Sequence, residues 1–225
     1  MINFSIIYGK KWLYFFDLLL IPIAVLFIKS ENYYLTSLLI IVFSIFSLFL
    51  SFENKDISTK KLVLISVLSA ISVAGRLIFI MVPQVKPMAA LVIISGICLG
   101  AEAGFITGAL SAFISNFFLG QGIWTPWQMI AFGLLGFVAG IIFKFIPKKI
   151  GLICTYAGIS VILIYGTIMN FSSFFLFNDT ASLSALLAYT ASSLPMDIIH
   201  SLSTVVFLFL LYNPIQKQIE RLLNK

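Results

Sequence analysis

Residues 116–132, with the sequence NFFLGQGIWTPWQMIAF, lie between two long apolar runs of this 225-residue chain. The stretch contains two glycines, a proline, two tryptophans and two glutamines, but no acidic or basic residue. Tryptophan is enriched where a lipid bilayer meets water. The stretch therefore predicts a tight turn at a membrane surface, which joins two helices that cross the lipid.

The composition of the whole chain also indicates a membrane protein. The chain is 61% hydrophobic and only 10% charged, whereas a soluble domain has about 25% charged residues. The net charge of +6 is explained by topology signals, because basic residues concentrate in cytoplasmic loops. We therefore predict an all-α integral membrane protein that does not bind nucleic acid.

Eight apolar runs are candidates for the spans, each of which needs about 20 residues. The runs are residues 12–28, 33–52, 62–82, 86–99, 103–119, 127–146, 150–171 and 184–212. The fourth run is short, and Pro195 divides the last one, so that its spanning helix is expected to begin near Pro195. If both termini are cytoplasmic, only Lys29 and Lys86 among the loop lysines and arginines face outward, which favours this topology.

Polar residues within the predicted spans fall in the outer half of the membrane, although they come from five different helices. They are Arg76, Asn116, Gln128, Asn170, Asp197 and His200. A charge in a bilayer costs a few kcal/mol, so such residues mark either a ligand site or structural pairs. A structural role for Asp197, as a helix cap favoured by the macrodipole and as a partner of Arg76, is an equal alternative to ligand contact. For His200, whose position three residues later gives it the same helical face, a structural role is slightly favoured.

Glycines recur every four residues in the middle of the chain. They are Gly96, Gly100, Gly104 and Gly108, with Gly136 and Gly140 at the same spacing later. Small residues at this spacing predict closely packed membrane helices. Glu102, in the short turn GAEAG between two of these runs, is expected to be exposed to solvent.

The sequence has none of the motifs of an energy source or of common catalysis. It lacks the GxxxxGK[ST] loop of ATPases and the HExxH motif of metalloproteases. With one histidine and two cysteines inside apolar runs, a metal site is implausible. No cofactor and no metal are predicted.

Three stretches of the chain resemble the substrate-binding (S) components of energy-coupling factor (ECF) vitamin transporters. They are AISVAGRLIFIMVPQVKPMAALVIISGICLGAEAGFITGALSAFISNFFLGQGIWTPWQM at residues 70–129, GLLGFVAG at residues 133–140 and LPMDIIHSLS at residues 194–203. The resemblance implies a six-helix substrate-binding core over residues 62–213. Residues 1–61 are then an extra N-terminal transmembrane hairpin with a cytoplasmic loop, and residues 214–225 are a basic cytoplasmic tail.

The resemblance also implies a function. Such a subunit lies in the bacterial cytoplasmic membrane, binds a vitamin at the outer face and topples against a coupling subunit driven by two ATPase subunits. Ala70 and Ala74 match the docking face for that partner, and the loop at residues 82–87 closes over the ligand. The predicted ligand is a cobalamin-type molecule, with riboflavin next. The expected substrate-binding residues are Arg76, Lys86, Asn116, Gln121, Trp124, Trp127, Gln128, Asn170, Asp197 and His200.

Two other functions fit the polar residues less well. In a self-sufficient secondary transporter or channel, Arg76 and Asp197 would form a gating or proton-coupling pair. In a membrane enzyme that acts on lipid or isoprenoid substrates, Asp197 and His200 would form an acid–base pair. The first alternative predicts ion-coupled flux by the chain alone, and the second predicts turnover.

Overall fold

The computed structural model describes residues 58–177 and 183–224, and the side chains within these ranges except those of residues 175–177. All regular elements in these ranges are helical. They are α1 (Thr59–Ile78), α2 (Met88–Leu99), α3 (Ala101–Leu119), α4 (Thr125–Phe145), α5 (Ile150–Ser160), a π-helical segment (Val161–Gly166), α6 (Thr167–Phe177) and α7 (Leu183–Leu223).

Most of these helices are long and apolar enough to cross a membrane. The candidates are α1, α3, α4, the continuous stretch Ile150–Phe174 and α7, while α2 is a shorter apolar helix. This agrees with the prediction of an all-α, multi-pass membrane protein. The predicted hairpin of runs 12–28 and 33–52 lies outside the described residues, so the count of eight spans and the orientation remain predictions.

The short helix α2 lies at the centre of the bundle. All its residues from Met88 to Ile94 are completely buried, and the helix packs against α1, α3, α4 and α7. A helix that is apolar on every side is stable only where its whole surface is covered. Because protein surrounds α2, its twelve residues do not have to reach both membrane surfaces.

Glycines bring the backbones of α2, α3 and α4 into direct contact. A Cβ atom added at Gly104 would lie 2.6 Å from the carbonyl carbon of Gly136 and 2.7 Å from Cα of Gly96. We call these three residues the glycine junction. The predicted packing of small residues is confirmed, and the contacts that it makes are within the chain.

The turn between α2 and α3 is tighter than expected from the sequence. Gly100 has φ +103° and by itself connects the two helices, a backbone conformation that residues other than glycine rarely adopt. Glu102 consequently lies in the first turn of α3 and is half-buried, so it is less exposed than expected. A carboxylate is favoured there by the helix dipole.

Helix α7 begins at Leu183, so the prediction that it begins near Pro195 was wrong. It runs from Leu183 to Leu223 without interruption and contains both Pro195 and Pro214. Proline is tolerated within membrane helices where neighbouring groups satisfy the freed backbone. The helix also continues through most of the predicted tail.

Candidate ligand-binding site

Polar side chains gather near one end of the helices. Arg76 lies in the last turn of α1, Asn116 in the last turn of α3 and Gln128 in the first turn of α4. Lys60 and Lys144 lie at the opposite ends of α1 and α4. Since basic loops are expected in the cytoplasm, the polar end is expected to face outward.

Asn116 connects three helices through its side chain. Arg76 Nη1 donates hydrogen bonds to Ser115 Oγ at 2.6 Å and to Asn116 Oδ1 at 3.0 Å. Asn116 Nδ2 donates to Thr125 Oγ1 at 3.0 Å and to Gln128 Oε1 at 2.9 Å. Because the Asn116 side chain is buried, these bonds replace contacts with water. We call these five residues the Asn116 network.

Gln121 closes the turn between α3 and α4. Its Nε2 donates to the carbonyl oxygen of Phe113 at 2.9 Å, and its Oε1 accepts a hydrogen bond from Thr125 Oγ1 at 2.9 Å. Gln121 is itself exposed. The structure therefore gives this predicted ligand-binding residue a role in holding the turn.

The two tryptophans of the turn occupy different environments. Trp124 is 40% exposed and its ring packs on Gly122, as suits a residue at a membrane surface. Trp127 is 1% exposed, so protein covers its ring. The reason is that α4 begins at Thr125, which places Trp127 in the first turn with its ring inside the bundle.

Asp197 belongs to a second polar cluster, formed by α6 and α7. Asn170 Nδ2 donates to Asp197 Oδ2 at 3.0 Å and to Ser193 Oγ at 2.6 Å, and Ser193 Oγ lies 3.2 Å from Asp197 Oδ2. We call these three residues the Asp197 cluster. Arg76 and Asp197 thus have separate hydrogen-bond partners, in contrast to the pairing weighed above.

The alternative in which Asp197 caps the helix was also wrong. Because α7 begins at Leu183, Asp197 lies several turns inside the helix, where the macrodipole has little effect. Its carboxylate packs on Gly166 of the π-helical segment, where an added Cβ would lie 3.0 Å from Oδ2. The position of Asp197 is therefore explained by contacts between helices.

His200 is enclosed by aromatic rings and has no hydrogen-bond partner among the described residues. It is 1% exposed, and both ring nitrogens are unpaired. Its ring centroid lies 4.7 Å from that of Tyr165 and 6.2 Å from that of Phe132. Tyr165 comes from the π-helical segment, and such segments are frequent at functional sites.

Lys86 lies in the loop between α1 and α2, against α7. Its backbone nitrogen donates to Ser203 Oγ at 3.1 Å, and its Nζ lies 3.5 Å from Gln84 Oε1. Burial, with a smaller effect of the positive charge of Arg76, lowers the pKa of Lys86 to about 8. The ammonium group therefore has little compensation from the surrounding protein.

Charged and aromatic groups from these elements lie within electrostatic range of one another. Tyr165 is within electrostatic range of both Arg76 and Asp197, and His200 is within range of Lys86 and Arg76. We call the region among α1, the loop after it, the π-helical segment and α7 the common space. Over the described ranges, no group of three or more His, Cys, Asp or Glu side chains is placed to hold a metal ion.

Several residues of this region were not predicted from the sequence. They are Ser115, Thr125, Phe132, Tyr165, Ser193 and Ser203. Ser193 had a usable signal, because it lies four residues before Asp197 on the same helix face. Tyr165 had none, since the π-helical segment that orients it is not visible as an apolar pattern.

Ala70 and Ala74 lie on the side of α1 that faces away from the other described helices. Both are exposed, together with Val67 and Ile71. The opposite side of α1 is buried, for example at Leu68. The exposed face of α1 therefore consists of small and β-branched side chains.

A helical membrane protein whose buried polar and aromatic side chains converge near one surface belongs to the class that binds a small molecule within the bundle. The model of the family described as "ECF-type riboflavin transporter, S component" matches residues 56–217. The match covers more than half of the chain, which therefore belongs to this family of ECF S components. The chain is thus a vitamin-binding, non-enzymatic transport subunit. No solved structure matches the chain.

Proposed function

We propose that the chain captures riboflavin at the outer membrane surface and delivers it to the other subunits of an ECF importer. The family match over residues 56–217 carries this proposal. The common space adds support, because the rings of Tyr165 and Phe132, whose centroids lie 4.5 Å apart, place aromatic surface beside its polar groups. Aromatic walls with a few fixed polar groups are usual in pockets for small molecules.

Riboflavin replaces the cobalamin-type ligand that the sequence analysis favoured. That preference rested on the two tryptophans and Arg76 as contacts for a large ligand. In the structure, Trp127 is buried among helices and Arg76 is held by Ser115 and Asn116. Neither arrangement favours a corrinoid over a flavin, whereas the family description names riboflavin.

We further propose that the exposed face around Ala70 and Ala74 docks on the coupling subunit. Two small side chains one turn apart allow another helix to approach closely, and no described helix of this chain covers them. The sequence contains no ATP-binding loop. Energy would then come from two ATPase subunits, and toppling of the chain against its partner would carry the ligand inward.

The ligand is tested by mass spectrometry of small molecules that copurify with the chain, followed by titration of the purified chain with riboflavin and with cyanocobalamin. We expect copurified flavin and saturable quenching of riboflavin fluorescence. Binding of cyanocobalamin without riboflavin would contradict the proposed substrate. A titration of denatured chain controls for partition of the flavin into detergent.

The transport mechanism is tested by uptake into vesicles that contain the chain alone or together with the coupling and ATPase subunits. We expect uptake only with all the subunits and ATP. Accumulation by the chain alone under a proton or sodium gradient would contradict the proposal and support the secondary transporter with Arg76 and Asp197 as its coupling pair.

A further inference from the structure

The charges around the common space are unequal. Arg76 and Lys86 are cationic side chains, and the buried His200 lies within electrostatic range of both. The opposing carboxylate in the described part of this region is that of Asp197, which already accepts hydrogen bonds from Asn170 and Ser193. Positive charge and free hydrogen-bonding capacity therefore remain on the side of Lys86 and His200.

His200 is the clearest sign that a ligand atom is missing from this arrangement. Leaving a buried polar group without a partner costs about 1 to 3 kcal/mol. Both His200 ring nitrogens are in this state within the part of the chain that is described, and the side chain is 1% exposed. The neighbouring Lys86 Nζ has only a long contact with Gln84. A ligand with acceptor atoms would receive hydrogen bonds from the Lys86 ammonium group and from the protonated ring nitrogen of His200.

We infer that the site selects a ligand with an anionic substituent, which Lys86 and His200 bind while Arg76 adds a longer-range attraction. This inference rests on the proposed function and specifies its substrate class: a flavin that carries a negative charge, such as a phosphate ester, binds more tightly than neutral riboflavin. Asp197 stays with Asn170 and Ser193 and does not contact the anionic group.

The selectivity is tested by titrating the purified full-length chain with riboflavin and with riboflavin 5′-phosphate at pH 7. We expect the phosphate ester to bind roughly 10- to 100-fold more tightly, the range for a hydrogen bond to a charged group. Lys86→Gln should remove most of this preference by weakening binding of the ester, and Lys86→Arg should retain it. Lys144→Gln, at the other end of the bundle, is the matched control and should leave both affinities unchanged.

The pH dependence of wild-type binding provides a test that needs no variant. The Lys86 pKa of about 8 predicts that its positive charge is lost between pH 7 and pH 9. The phosphate ester, with a second pKa of about 6, keeps its charge over this range. Its affinity should therefore fall as the pH rises, with net proton uptake on binding, whereas riboflavin affinity should change less. Besides Lys86, the groups around the space are Arg76, Tyr165, Asp197 and His200.

The outcomes separate the two proposals. Equal affinity for the two flavins, or tighter binding of riboflavin, would overturn the charge selectivity and leave flavin capture standing. A pH dependence that is identical for both flavins would also overturn it. If neither flavin binds the folded chain, both the selectivity and the proposed riboflavin function are wrong.

Discussion

The glycine junction and the Asn116 network both hold α3 against α4, but by opposite means. At the glycine junction, the backbones themselves touch, with Gly104 and Gly136 in contact. In the Asn116 network, the same two helices are joined by side-chain hydrogen bonds, from Asn116 to Thr125 and Gln128. The first region has no side chain that could adjust, whereas the second consists of side chains that a ligand could reorient.

This difference separates packing from recognition along the same pair of helices. In lipid, association of helices depends on close packing and on hydrogen bonds between them. The glycine junction provides the close packing, through residues that have no side chain to bind a ligand. The polar end provides the hydrogen bonds between helices, through side chains that have donors and acceptors. We therefore expect substitutions in the two regions to affect stability and binding in different proportions.

The largest loss of stability is expected for Gly136→Val. A Cβ at Gly136 would lie 2.6 Å from the carbonyl oxygen of Gly104, and backbone atoms cannot move aside as a side chain can. Overpacking typically costs about 1 to 3 kcal/mol, and contact with backbone atoms places this substitution at the upper end of that range. The thermal unfolding midpoint in detergent and the yield of monodisperse protein measure the loss. Gly151→Ala is the control, because nothing lies within 4 Å of a Cβ there.

A Gly136→Val chain with an unchanged unfolding midpoint would show that α3 and α4 can separate without cost. The close backbone contact at the glycine junction would then not contribute to the stability of the chain. The Gly151→Ala control should itself be slightly more stable than the wild type, since Gly→Ala in a helix normally stabilises by about 0.5 to 1 kcal/mol.

A smaller loss is expected for Asn116→Ala in the Asn116 network. The substitution leaves the buried Thr125 without one donor and deprives Arg76 and Gln128 of a partner. The expected cost is about 1 to 3 kcal/mol, measured as a lower unfolding midpoint of the ligand-free chain. Gln216→Ala, which removes one exposed hydrogen bond on α7, serves as the control and should change little. An unchanged midpoint for Asn116→Ala would mean that the network exists for the ligand alone.

His200→Phe should distinguish the unsatisfied part of the polar end from the satisfied part. Phenylalanine keeps an aromatic ring beside Tyr165 and Phe132 and removes two unpaired nitrogens. The ligand-free chain should be unchanged or up to about 2 kcal/mol more stable, because replacing unpaired polar atoms by apolar ones can stabilise. Flavin affinity should fall in the same variant.

The opposite pair of results would assign His200 a structural role. If His200→Phe destabilises the ligand-free chain and leaves flavin affinity intact, its nitrogens contribute to the fold and not to ligand contact. Measuring the unfolding midpoint with and without flavin separates the two cases, because a bound ligand stabilises only the folded chain.

The sequence predicted the helices better than it predicted their ends and side-chain partners. Apolar runs of sufficient length identified the six helical regions after residue 62, and glycine spacing identified the contact among α2, α3 and α4. The start of α7 was wrong because proline within a membrane helix does not have to end it. Grouping polar residues by membrane depth brought Arg76 and Asn116 together, as their hydrogen bond shows.

Partner choice within the polar end could not be predicted in the same way. The depth of Arg76 and Asp197 suggested a pair, but partner choice depends on the rotation of each helix about its axis. The structure gives Arg76 to Ser115 and Asn116, and Asp197 to Asn170 and Ser193. Rotation is determined by packing, which one sequence does not reveal.

Ala74→Leu is expected to have the smallest effect on stability but to abolish transport. Ala74 is exposed on α1, so a larger side chain there should change the unfolding free energy by no more than about 0.5 kcal/mol. Flavin affinity of the isolated chain should be unchanged, because Ala74 is exposed, whereas its neighbours Ser72 and Val73 are buried against the bundle. Uptake with the coupling and ATPase subunits should be lost, since the added atoms keep the partner helix at a distance. Ala191→Leu, at an exposed alanine of α7, is the matched control and should transport normally. If Ala74→Leu transports as well as that control, the face around Ala70 and Ala74 contacts lipid only, and the coupling subunit docks elsewhere.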